Sequence, residues 1–204
     1  MCFSATASFT ASAILLICGI AALTRAKEKQ RLLALMPLLF SIQQFIEGTI
    51  WQSLMAGQSA QMAIYAYLTF VYIVWPNWPA LAITQMTTKS SEKMNLRLPL
   101  MAGIVTSCIA IAAFFVTEPQ AAITCSHIAY RADLPGWLLL PGSALYLFAT
   151  LAPFFISSIA HMWIIGIVLG LSYVATILFY QVAVTSVWCF FGAILSVFIF
   201  IILK

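Results

Sequence analysis

Charge is what this sequence has least of. Of 204 residues, 7% are charged against 64% hydrophobic, with nine Lys and Arg and five Asp and Glu. Soluble domains carry roughly a quarter of their residues as charges. So few polar groups cannot clothe a water-soluble body of this length, so an ordinary aqueous domain is excluded. Nucleic-acid binding is excluded with it, because the basic residues stand at the ends of apolar runs and form no patch. Histidine is scarce too: there are two, which restricts acid–base and metal chemistry. No catalytic motif of high specificity occurs, and neither does a low-complexity stretch or a polar linker. Residues 1–204 therefore read as a single transmembrane domain.

What is present is apolar length. A bilayer core needs about 20 residues of helix, and seven runs meet that need: Ser8 to Thr24, Leu32 to Met55, Gln61 to Gln85, Leu98 to Val116, Trp137 to Ile156, Ala160 to Gln181 and Thr185 to Leu203. Backbone amides in hydrocarbon must be bonded within their own segment, and the short alternating strands of a barrel are missing. The expected fold is all-α, a polytopic bundle of seven transmembrane helices. Arg25, Lys27, Lys29 and Arg31 follow the first run, and Lys89, Lys93 and Arg97 follow the third. Both connections should be cytoplasmic. With Arg131 alone on the opposite loops and Lys204 after the last run, the N-terminus is expected outside and the C-terminus inside. The first run has its charges behind it rather than before it, unlike a secretory signal, so it is expected to be retained. The longest loop is Thr117 to Gly136.

Glu47 is the one acidic residue inside any run. An ionisable group at membrane depth costs a few kcal/mol unless it is paired, protonated or hydrated. At 1.5 Å per residue it lies roughly 12 Å below the outer end of its helix, too deep to snorkel. Gln43, Gln44 and Trp51 stand three or four residues away on the same face. Two readings follow: a buried site where Glu47 takes up a proton or binds a cation, or a neutral carboxyl that glues helices together. Farther on, Trp75, Pro76, Asn77, Trp78 and Pro79 should break the third helix and free carbonyls. Those carbonyls can coordinate a ligand or be satisfied by neighbouring side chains. Tyr65, Thr69, Tyr72 and Pro76 fall on one stripe that could face Glu47. The expected ligand-binding set is Glu47, Gln43, Gln44, Trp51, Tyr72, Trp75 and Trp188.

A third group gathers at the outer boundary. Cys2, Cys125 and Cys189 on an oxidising side can pair as a disulfide or stay free, and with His127 they can bind a soft metal such as copper or zinc. The spacing Cys125, Ser126, His127 is too short for a zinc motif. His161 is expected at a solvated helix end, Trp137 and Trp163 in the interfacial aromatic belt, and Gly166 with Gly170 at a close helix approach.

Rhodopsins share an outward N-terminus and seven spans, but the required lysine inside the seventh is missing. Zinc hydrolases of the alkaline ceramidase type need more histidines than are present. The opening Met1-Cys2-Phe3-Ser4-Ala5-Thr6-Ala7-Ser8-Phe9, together with Gln43-Gln44-x-x-Glu47-Gly48-x-x-Trp51, Trp75-Pro76 and Ser186-Val187-Trp188-Cys189-Phe190-Phe191, resembles a family of small bacterial integral membrane proteins of unknown function. The resemblance spans nearly the whole chain and implies a multi-pass inner-membrane location, but no activity. The preferred expectation is a polar pocket in the outer half, centred on Glu47, binding a small solute, proton or metal cation for transport or sensing. The alternative is a membrane enzyme or a metal or thiol site built on Cys2, Cys189, Cys125 and His127. The lipid bilayer is the expected partner, and no cofactor follows from the sequence.

Overall fold

The computed structural model describes residues 4–132 and 135–199. Helix α1 runs Ala5–Arg25, opened by Ser4, whose hydroxyl accepts from the Ala7 amide at 3.2 Å as an N-cap does. A single tight turn, Glu28–Gln30, leads into α2 (Arg31–Ala34) and α3 (Met36–Met55). Small residues let α1 and α3 approach closely. Ser12 and Ser41 each donate to the other's carbonyl, at 2.9 and 2.8 Å. A methyl group added at Gly48 would meet the Phe9 ring at 2.6 Å.

The third apolar run is broken where its prolines sit. Helix α4 (Gln61–Thr69) passes into a π-helical turn, Phe70–Val74, and α5 starts only at Trp78 and ends at Met86. The carbonyls freed there are taken by side chains: Asn77 Nδ2 donates to Ile73 O at 2.7 Å and Ser107 Oγ to Tyr72 O at 3.3 Å. Of the two readings of the break, packing accounts for these carbonyls. Helix α6 (Ser90–Val116) bears Gly103, where any side chain would collide with the Pro76 carbonyl.

The longest loop contains a β-hairpin, β1 (Gln120–Thr124) and β2 (His127–Arg131), paired antiparallel with Thr124 opposite His127. Its turn residues Cys125 and Ser126 have φ of 48° and 60°. Positive φ at both central positions is what a two-residue hairpin of this hand requires, but Asn-Gly, its usual signal, is absent. Helices α7 (Gly136–Ile156), α8 (Met162–Phe179) and α9 (Val184–Val197) complete the bundle. His161 opens α8 in a left-handed conformation and is exposed. Gly166 packs on Phe154 and Phe155 of α7, whereas Gly170 meets only Leu151, at 3.9 Å from an added methyl.

Five helical segments are long and apolar enough to cross a membrane: α1, Glu28–Met55, α6, α7 and α8. Gln61–Val74 and Gln181–Val197 are shorter than the runs expected there. The Glu28–Met55 segment is 61% buried, against 17% to 33% for the other four. It is the axis of the bundle, and the rest present Ile17, Phe115, Leu140 and Phe179 outward, as lipid contact requires.

The two ends of the bundle differ. At the basic end, Leu32 N donates to Gln85 Oε1 at 3.3 Å and Trp78 Nε1 to Leu32 O at 2.8 Å. Glu92 there accepts from Thr87 Oγ1 at 2.9 Å and Ser158 N at 3.2 Å, and pairs with Lys89 at 3.2 Å. Three connections are thereby tied together on one side. At the other end, Gln61 Nε2 donates to Pro119 O at 3.0 Å, and β2 packs against α9 and the turn before it.

Candidate functional site

Glu47 is 2% exposed, and Gln43 and Gln44 are wholly buried. The face that the helical spacing assembles therefore does point inward, with Trp51 buried one turn on. Glu47 Oε1 accepts from Ser186 Oγ of α9 at 2.5 Å, and Oε2 accepts from Gln44 Nε2 at 3.1 Å. Both donors are neutral. Among the described residues the only carboxylate ion pair is that of Lys89 with Glu92, so no cation compensates Glu47.

Gln43 Oε1 accepts from Trp75 Nε1 at 2.7 Å, and the Trp75 ring stacks on Phe40 with centroids 3.8 Å apart. On its other edge Gln43 faces the Cys189 thiol. Tyr67 lies beside Glu47 and Cys189 and stacks on Tyr130 of the hairpin at 4.7 Å. Tyr67 shares its hydroxyl with Glu47 and Cys189, and Gln43 meets Cys189, whereas the Tyr130 hydroxyl and Gln44 Oε1 have no partner among the described residues. Each such buried group costs about 1–3 kcal/mol. Two of them beside one carboxyl leave bonding capacity that the neighbouring side chains do not use.

A cavity of about 460 Å³ adjoins this cluster on the hairpin side, lined among others by Tyr72, Tyr130, Arg131, Gly142, Trp188 and Cys189. Neither Glu47 nor the two glutamines line it. The polar cluster expected around Glu47 thus adjoins this cavity without lining it, and meets it at Tyr130 and Cys189. A smaller apolar cavity of about 60 Å³ lies beyond Tyr146, Trp188 and Cys189, towards Phe40 and Trp75. Trp188 Nε1 donates to Leu169 O at 3.1 Å, and its ring meets Tyr146 and Tyr173 edge on.

The cysteines do not assemble as the alternative expected. Cys189 is buried in α9 beside Gln43, while Cys125 is exposed at the hairpin turn, and both are free thiols. His127 Nδ1 lies 2.6 Å from the Cys125 carbonyl, not from its sulfur. Cys2 lies outside the described residues. Among the described residues no three of His, Cys, Asp and Glu stand together as a metal site would need.

Sequence reasoning missed Tyr67 and Tyr130, and took up Ser186 only as part of a motif. The stripe through Tyr65, Thr69 and Tyr72 assumes an unbroken α-helix, but the amide of Trp75 bonds back to Phe70 O at 3.0 Å, and this wider turn shifts the register. Tyr65 packs instead on Phe114. Tyr67, Val71 and Trp75, all buried, recur every four residues, and that spacing carried the signal. Tyr130 had none, because it depends on a hairpin.

Residues 1–204 match the model of a family of unknown function, DUF6629. The chain belongs to this family. Membership of DUF6629 agrees with the resemblance carried by the Gln43 to Trp51 and Ser186 to Phe191 segments, and brings no activity with it. No curated protein and no solved structure matches the chain.

Proposed function

We propose that this protein crosses the membrane seven times, with its basic end cytoplasmic, and that Glu47 is the group through which it takes up a proton or a small cation for transport or sensing. The observation that carries this reading is a buried carboxyl held by neutral groups alone, Ser186, Gln44 and Tyr67. A structural carboxyl that merely bridges helices needs one donor and one acceptor and leaves its neighbours satisfied. Here Gln44 Oε1 and the Tyr130 hydroxyl retain unused acceptor capacity, which a cation or a hydrated proton would employ. The third pass is completed by α5 beyond its break.

Tryptophans report on the site directly, since Trp75 is bonded to Gln43. The fluorescence of the purified, lipid-reconstituted protein should show a titration in acid-to-neutral solution and a response to sodium or potassium. Glu47→Gln should remove both while leaving the helical circular dichroism unchanged. A variant that titrates and responds as the parent does would overturn the assignment.

A further inference from the structure

The larger cavity has a chemistry separate from that of the Glu47 cluster. At about 460 Å³ it falls within the range of roughly 300–1,000 Å³ that small-molecule sites occupy. Its wall is mainly apolar, with residues such as Val71, Ile109, Phe114 and Ile177. Of its hydroxyls, Thr106 bonds to Ala102 O and Ser143 to Leu139 O of their own helices, and the rest are Thr185 and four tyrosines that also present aromatic rings. Among the described lining residues Arg131 is the one charged side chain, exposed at the last position of β2. The cavity is thus an apolar chamber with a guanidinium at its outer rim.

We propose that this cavity binds an amphipathic organic anion, its carboxylate or phosphate head held by Arg131 and its apolar body lodged among α6, α7 and α8. A guanidinium presents a planar fork that matches either head with two parallel hydrogen bonds. The apolar body gains by leaving water for a wall of aliphatic and aromatic groups. An amphipathic cation would meet Arg131 with like charge, and a wholly polar solute would leave the aliphatic and aromatic majority of the wall without a matching surface. No lining residue comes from α3, so this site stands apart from the proton or cation reading of Glu47.

Gly142 supplies the test. It lines the cavity, and a methyl group added there meets nothing within 4 Å, so a larger side chain enters open space rather than a neighbouring helix. The protein in nanodiscs of zwitterionic lipid, with empty discs as the blank, is titrated with a fluorescent long-chain fatty acid, the same chain as an alkyl phosphate, its methyl ester and its trimethylammonium analogue. Saturable binding of the two anions is expected, with the ester and the cation weaker by about tenfold or more, the worth of a charge-assisted bond. Gly142→Phe should abolish anion binding, and Arg131→Gln should bring acid and ester to equal affinity. Displacement of the probe by added anionic phospholipid would make the bilayer the source of the ligand, whereas displacement by a soluble long-chain acid alone would make it the aqueous phase; both support the site. Equal binding of acid and ester by the parent protein overturns the proposal, as does unchanged binding in Arg131→Gln, a surface substitution that leaves the bundle intact. Unchanged binding in a folded Gly142→Phe variant overturns it as well. These readouts do not involve Glu47, so either proposal can fail without the other.

Discussion

The hydroxyl of Ser186 donates to the carboxyl of Glu47 at 2.5 Å across 139 residues of sequence. This bond joins α9 to the central α3 at the depth where hydrocarbon would otherwise surround a carboxyl. It makes the last helix part of the polar cluster, together with Cys189 one turn on.

Removing the donor alone should therefore be costly. Ser186→Ala leaves Glu47 Oε1 buried without its partner, and the thermal midpoint should fall by the equivalent of about 1–3 kcal/mol. The double variant Ser186→Ala with Glu47→Leu should recover much of that loss, because no orphaned polar atom remains. A double-mutant cycle in detergent measures the coupling.

Trp75 separates packing from hydrogen bonding. Trp75→Phe can keep an aromatic contact with Phe40 but removes the donor to Gln43, leaving the buried Gln43 Oε1 unpaired. The expected loss is about 1–3 kcal/mol, read from denaturation midpoints, with Trp78→Phe as a comparison at the basic end.

Glycines that look alike in sequence should behave differently. Gly103→Ala forces α6 off the Pro76 carbonyl and should destabilise by about 1–3 kcal/mol through overpacking. Gly142→Ala enters free space, and Gly170→Ala makes an ordinary contact at 3.9 Å. Thermal unfolding of the three variants should rank Gly103→Ala lowest, with the other two at or above the parent.

Thiol accessibility tests both the orientation and the separation of the cysteines. In a variant retaining only Cys125, a membrane-impermeant maleimide added to intact cells should label the protein. In one retaining only Cys189, labelling should wait for denaturation, since that thiol is buried in the bundle. Labelling of Cys125 only after the cells are broken would reverse the assigned topology.

The clustering of Gln43, Gln44, Glu47 and Trp51 was legible because an α-helix repeats every 3.6 residues, and a carboxyl at membrane depth has to turn away from lipid. The break at Pro76 and Pro79 was legible for an equally local reason, the missing amide donors. The partners were not. Ser186, Tyr67 and Tyr130 are brought to Glu47 by three different elements, and one of those is a hairpin whose turn, Cys125-Ser126, lacks the residues that usually announce it. Cys189 was expected near the surface from its count along the last span, whereas it is buried because α9 is covered there by β2 and packed on α3.

The sequence by itself determined that this chain is a helical membrane protein with one carboxyl inside it, because composition, apolar length and charge distribution act through the solvent and through local backbone geometry. Only the tertiary structure decided that the carboxyl is closed off rather than open, that it is held by neutral donors, and that an apolar chamber rimmed by Arg131 lies beside it. Those features arise where α3, α4, α9 and the hairpin meet, and contacts between distant segments depend on how helices pack against one another, which no local periodicity records.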